Sequence, residues 1–341
     1  MNHETRDKSR AGAPEGQPPQ TPITVLGSGP NGPPSIDRLR GHGDIRIAHD
    51  EATLRECLPG SEILLVTDFR TAALEAAWPA ADSLRWVHAA SAGVDQLMFD
   101  ALVDSDIPVT NAQGIFDRSI AEYVLGAILM FAKDTRNNIR YQQQRRWMHR
   151  DTESIHGKRV LVAGAGSIGR EIARLCQAVG MDVTGIARRA RDADDVFSAV
   201  HAADDIERHL PDADYVVVAA PLTEATEHWF DARLFAAMPK HARFINIGRG
   251  PIVVTDDLVD ALANQQIAGA ALDVFEQEPL PEAHPLWGLD NVLISAHMAG
   301  DFIGWRDALM DQFLDNLARW RRGEELFNRV SKRHGYAPGR R

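Results

Sequence analysis

Short apolar runs punctuate the first third of the chain, at 23–25, 63–66 (ILLV) and 84–87 (LRWV), with turn residues between them. Segments such as 71–78 carry apolar side chains three and four apart, which predicts helices linking these strands. The texture changes at Ser119. Ser119 and Glu122 have capping-box spacing, and Val124, Leu125, Ile128, Leu129 and Phe131 continue as one long apolar helix face. A polar stretch, 136–156, follows. Beyond it, apolar runs predict strands at 160–163, 183–187, 216–219, 244–247, 270–274 and 292–294, again alternating with helical segments. Phe302, Trp305, Leu309, Phe313, Leu317 and Trp320, three or four apart, predict a final helix that packs back on the first region. Strands alternating with helices give an α/β fold with two parallel sheets.

A length of 341 residues accommodates two such units, each with its own core. Lys+Arg 37 against Asp+Glu 48 leaves a net charge of -11, which argues against a nucleic-acid partner. Cys57 and Cys176 stand far apart and near no other metal-type ligands, so reduced thiols and no metal site are expected. The apolar stretch 124–132 is too short to span a membrane. Residues 1–22 are rich in Pro, Gly, Gln and charge, with no apolar leader, and read as a disordered tail. A cytoplasmic protein is the expectation.

The run 160–163 leads into GAGSIG at 164–169, and a helix opens immediately after. Strand before and helix after are what a dinucleotide-binding loop requires. Gly164 permits the tight turn, Gly166 lets backbone approach a pyrophosphate, and Gly169 allows helix–strand packing. Ser167 and Ile168 open the helix whose N–H groups face the phosphates. The next strand ends in Ala187, Arg188, Arg189, Ala190 and Arg191. The acid that usually accepts from the ribose 2′-hydroxyl of NAD is missing there. Arg188 and Arg189 are therefore candidate ligands of a 2′-phosphate, which predicts NADP with NAD possible; a solvated basic turn is the alternative.

Several strings in one order resemble the D-isomer-specific 2-hydroxyacid dehydrogenases, among them glyoxylate/hydroxypyruvate reductases: SAGVD at 91–95, GAGSIGREIA at 164–173, APLTEAT at 220–226, NIGRG at 246–250, LDVFEQEPLP at 272–281 and HPLW at 284–287. The resemblance implies two Rossmann-like domains and a homodimer. The substrate domain would be discontinuous, 23–125 plus 301–332, around a dinucleotide-binding domain at 126–300, with a C-terminal tail at 333–341. It also implies that Arg249 binds the substrate carboxylate, that His297 is the acid/base, and that Glu278 hydrogen-bonds His297. The chemistry is apt, since a guanidinium suits a carboxylate and an imidazole beside a carboxylate both gives and takes a proton near neutrality. Backbone N–H groups of Ala92, Gly93 and Val94 would hold the same carboxylate. Pro221 and Thr223 would lie along the cofactor. Asp273 would face the nicotinamide carboxamide, or serve as a strand-end acid with a structural partner. Trp147 is open between a dimer arm and the core. The chain departs from the family pattern at 295–297, where no proline precedes the histidine, so a freer loop is expected. Met298, Phe302 and Trp305 nearby are expected to shape the substrate pocket. The function implied is reduction of small 2-oxo acids to D-2-hydroxy acids; a nucleotide-sensing, corepressor-like protein is the alternative.

Overall fold

In the first sheet the unbroken apolar run ILLV forms the middle strand, while the edge strands carry Asp44 and Arg46 on one side and Thr110 and Asn111 on the other. The computed structural model describes residues 21–67 and 71–337, so nearly all of the expected N-terminal tail, and the last four residues of the C-terminal one, lie outside the described residues. Five strands, β1 (Pro22–Leu26), β2 (Asp44–Ala48), β3 (Ile63–Val66), β4 (Trp86–Ala89) and β5 (Val109–Asn111), pair in parallel in the order β2-β1-β3-β4-β5. All four residues of β3 are buried, as expected of a strand covered on both faces.

The second sheet has seven parallel strands: β6 (Arg159–Ala163), β7 (Asp182–Ala187), β8 (Ala199–Ala202), β9 (Tyr215–Val218), β10 (Arg243–Asn246), β11 (Gly269–Leu272) and β12 (Val292–Ile294). Their order is β12-β11-β10-β9-β6-β7-β8. The chain reverses its winding between β6 and β9, and a crevice opens at the carboxyl ends of such strands.

Two differences from the sequence expectations have clear causes. β4 runs two residues beyond 84–87 because His88 belongs to it: the ring is buried, with Nδ1 2.8 Å from the Thr110 hydroxyl, to which Trp86 Nε1 also donates. The helix Asp117–Ala132 begins before Ser119 and uses no side-chain cap; Ser119 instead donates to the Ala299 carbonyl at 3.3 Å. Packing fixes this helix start, with Phe116 against Trp305 and against the face of Gly300. From there the helix lies along Ser167–Ala178 and shares the core of the second sheet.

The polar stretch contains a helix too, Thr135–Gln143, with no buried residue. It is held by charge: Arg136 and Arg140 approach Asp290, and the guanidinium groups of Arg140, Arg146 and Arg150 gather about the Tyr141 ring. Trp147 beyond it is 98% exposed and takes no part in the core. The final helix, Trp305–Arg322, returns to the first sheet, where Met310, Phe313 and Leu317 pack with Ile23, Val25 and Trp86. The chain then bridges Ser331 to Tyr336, and Ala337 is buried.

Candidate active site

Arg249, Glu278 and His297 follow β10, β11 and β12, so three adjacent strands deliver them to one end of the second sheet. Together with Gly93 and Val94, on the loop after β4, they line a cleft of about 350 Å³ between the two sheets.

The Arg249 loop is fixed first at the backbone. Asn246, buried, accepts from the Gly248 N–H at 3.0 Å and donates to the Arg249 carbonyl at 3.1 Å. The guanidinium then crosses the cleft: Nε donates to Asp95 Oδ1 at 3.1 Å and Nη1 to the Gly248 carbonyl at 2.8 Å. Glu278 accepts from the Phe275 N–H through Oε1 at 2.9 Å, while its Oε2 lies 2.8 Å from His297 Nδ1. Burial works to raise the Glu278 carboxyl. The bonds from His297 and Phe275, with the charges of His297 and Arg249, outweigh it and hold the carboxyl below its ordinary value.

His297 has a left-handed backbone, φ 49, a conformation uncommon for a side-chain-bearing residue. Asp273 stabilises it. The Asp273 carbonyl accepts from the His297 N–H at 2.8 Å, and its buried carboxylate accepts from Ser295 Oγ at 2.6 Å and from the N–H groups of Met298 and Ala299, both at 2.9 Å. The Tyr123 hydroxyl lies 2.7 Å from Ser295 Oγ and extends the network. The loop around the histidine is therefore anchored rather than freer, which corrects the expectation drawn from the missing proline.

Met298, Phe302 and Trp305 do not line the cleft, a second correction. Phe302 and Trp305 border a separate, more open depression of about 450 Å³ at 301–307, and Met298 is exposed. The apolar wall of the cleft comes instead from Val66, Leu97, Leu222 and Phe275. Ala92 packs on the core and gives its carbonyl to Asn111 Nδ2 at 2.6 Å.

The glycine loop lies between β6 and β9. Gly164 has φ 117, and a Cβ there would stand 2.5 Å from the backbone of Ala219 and Ala220; one on Gly169 would stand 1.9 Å from the Gly164 carbonyl oxygen. Beside Gly166 a Cβ would meet no atom within 4 Å, so the loop presents an open cradle at the first turn of Ser167–Ala178. That arrangement fits a dinucleotide pyrophosphate. The Ser167 hydroxyl is bound to the Asp117 carboxylate, leaving backbone N–H groups as what Ser167 and Ile168 offer. Pro221 and Thr223 sit in a turn locked by Thr226, whose Oγ1 donates to the Pro221 carbonyl at 2.7 Å and accepts from the Thr223 N–H at 2.8 Å. Ala187 ends β7; Arg188 and Arg189 are exposed, whereas Arg191 turns back and donates to the Ala165 carbonyl at 3.2 Å. Asp95, Asn246 and Thr226 lie inside the strings 91–95, 246–250 and 220–226, yet spacing alone could not reveal their partners.

A glycine-loop crevice opening beside an arginine and a histidine–carboxylate pair is the equipment of a nicotinamide-dependent dehydrogenase. Residues 125–299 match the family described as D-isomer specific 2-hydroxyacid dehydrogenase, NAD binding domain. A glyoxylate/hydroxypyruvate reductase A of Arabidopsis thaliana is 32% identical over 252 residues, 73% of this chain and 79% of the relative. A glyoxylate/hydroxypyruvate reductase B of Salmonella newport is 34% identical over 246 residues, 69% of this chain and 74% of the relative. Among solved structures, an NADPH-dependent glyoxylate/hydroxypyruvate reductase from Sinorhizobium meliloti, in complex with NADP and sulfate, superposes with a TM-score of 0.81 at 25% identity, covering 93% of this chain and 100% of that one. A D-isomer specific 2-hydroxyacid dehydrogenase from Xanthobacter autotrophicus Py2, in complex with NADPH and MES, gives 0.77 at 30% identity over 93% and 100%. The chain belongs to the D-isomer-specific 2-hydroxyacid dehydrogenase family, whose fold it has in two parallel-sheet, Rossmann-like units. Among the described residues no helix is long and apolar enough to cross a membrane, and no group of side chains could hold a metal ion.

Proposed function

We propose that this protein is an NADP(H)-dependent reductase that converts small 2-oxo acids of the glyoxylate or hydroxypyruvate type into D-2-hydroxy acids. The observation that carries the proposal is the His297 Nδ1–Glu278 Oε2 contact of 2.8 Å in a cleft shared with Arg249 and the loop 91–95. When bound, a reduced nicotinamide supplies hydride to the carbonyl carbon. Arg249 binds the substrate carboxylate, with the N–H groups of Ala92, Gly93 and Val94 on its other side. Glu278 fixes the His297 ring through Nδ1, and Nε2 delivers a proton to the carbonyl oxygen; in the reverse direction it takes that proton from the hydroxyl.

The cradle at Gly164, Gly166 and Gly169 and the first turn at Ser167 and Ile168 would hold the pyrophosphate. Pro221, Thr223 and Asp273 would border the nicotinamide half. Arg188 and Arg189, exposed after Ala187, support a preference for the 2′-phosphate. Replacing both with serine is expected to raise the KM for NADPH about 10- to 100-fold and leave NADH use little changed. The exposed arm bearing Trp147 and Ile139 supports a homodimer; Trp147→Ala is expected to shift the molar mass seen by light scattering toward the monomer.

The direct test is oxidation of NADPH and NADH by the purified protein with glyoxylate, hydroxypyruvate, pyruvate, phenylpyruvate and 2-oxoisocaproate. NADPH-dependent turnover of the smallest acids supports the proposal. Tight NADPH binding without turnover of any of them refutes it and favours a nucleotide-sensing role.

A further inference from the structure

Arg249 would be a poor anchor if its long side chain were free to sample rotamers, and three contacts prevent that. Asp95, from the first sheet and 154 residues distant in sequence, accepts from Nε at 3.1 Å; the Gly248 carbonyl accepts from Nη1 at 2.8 Å. The third is steric. A Cβ on Gly93 would stand 1.7 Å from Nη2 and 2.7 Å from Cζ, so the guanidinium rests where any other residue would place its side chain. Both side chains of the ion pair are about one-fifth exposed, at 22% and 20%, which limits screening by solvent.

We propose that Asp95 is the positioning residue of the substrate anchor: by holding Nε it turns the Nη2 edge of Arg249 along the loop 91–95, and so sets affinity for the carboxylate of the 2-oxo acid. This rests on the assignment of Arg249 as the carboxylate anchor. The loop 91–95 then contributes more than its N–H groups. Gly93 leaves room for the guanidinium, and Asp95 fixes its orientation with a charge-assisted bond to Nε that leaves the Nη2 edge for the substrate carboxylate.

The test uses the full chain with NADPH and glyoxylate, and oxamate binding to the NADPH complex as a readout independent of turnover. Asp95→Ala is expected to raise the KM for glyoxylate and the dissociation constant of oxamate about 10- to 100-fold, with a smaller fall in kcat and unchanged NADPH affinity. Asp95→Asn, which keeps an acceptor oxygen, is expected to recover most of that loss. In an Arg249→Lys background, where no Nε exists, adding Asp95→Ala is expected to cost less than about threefold. Unchanged glyoxylate KM in Asp95→Ala, or an additive double variant, overturns the positioning role. A parallel loss of kcat, NADPH affinity and thermal stability also overturns it, pointing to a merely structural acid. If Arg249→Lys alone leaves both glyoxylate KM and oxamate binding unchanged, the anchor assignment itself fails; if it weakens both while Asp95→Ala does not, only the positioning role fails.

Discussion

A single imidazole in this cleft depends on two acidic residues for two different things, on the carboxylate of one and the main-chain carbonyl of the other. Glu278 holds the His297 ring, and Asp273 holds its backbone. Because the ring nitrogen opposite Glu278 carries the proton in the proposed reduction, His297→Asn is expected to lower kcat about 10²- to 10⁴-fold while NADPH still binds, measured by turnover and by nicotinamide fluorescence. Arg249→Ala is expected to lose most turnover with the same retention of cofactor. Glu278→Gln tests the pair. Glutamine keeps the size of the side chain but not the charge that holds the ring through Nδ1, so kcat for reduction is expected to fall about 10- to 100-fold while NADPH affinity is kept. A kcat identical to that of the unaltered protein would sink the assigned coupling.

The strand ends explain why three loops of ordinary composition make one site. Asp273 closes β11 and gathers Ser295, Met298 and Ala299 of the next loop, so the turn after β12 is a product of its neighbour. Asp273→Ala strips three donors of their acceptor at a buried position. A loss of about 2–4 kcal/mol of stability is expected, with kcat falling as His297 leaves its left-handed conformation. Denaturant midpoints and kcat, measured together, check this; a stable variant with normal kcat would show the turn to be self-sufficient. Central strands such as ILLV at β3 were legible in the sequence because burial on both faces demands an unbroken apolar run. Edge strands β2 and β8 were not: Asp44 and Arg46 interrupt DIRIA, and AVHA has a histidine and two alanines in place of a branched apolar run. Arg249 and Glu278 stand in the strings 246–250 and 272–281, whereas the partners of Asp95 and Ser295 could not be read from the sequence. Those partners lie 154 and 22 residues away, brought close only by the sheet order.

Across the whole molecule, the buried histidine of β4 ties stability to pH. Burial pushes His88 from its ordinary value of 6.5 down to about 3, and its Nε2 has no hydrogen-bond partner among the described residues. The folded protein keeps this ring neutral, whereas the unfolded chain takes up a proton below pH 6.5. Stability therefore falls as pH drops from 6.5 toward 3, by up to about 1.4 kcal/mol per pH unit from this group, and is untouched by it above 6.5. His88→Leu is expected to flatten that slope in urea titrations across the interval; an unaltered slope would assign the acid sensitivity elsewhere.

His88 also lies against Phe313 of the final helix, whose Met310, Phe313 and Leu317 complete the core beneath Trp86. On the ribosome the strands of the first sheet emerge before the helix that covers one of their faces, and the whole second sheet is made in between. The second sheet needs nothing from beyond Leu309 to fill its core. Synthesis and folding thus run in opposite orders: the unit begun second is finished first, and the strands of the first sheet wait with an apolar face open until the helix Trp305–Arg322 has followed the second sheet, the interval in which a chaperone has most to protect.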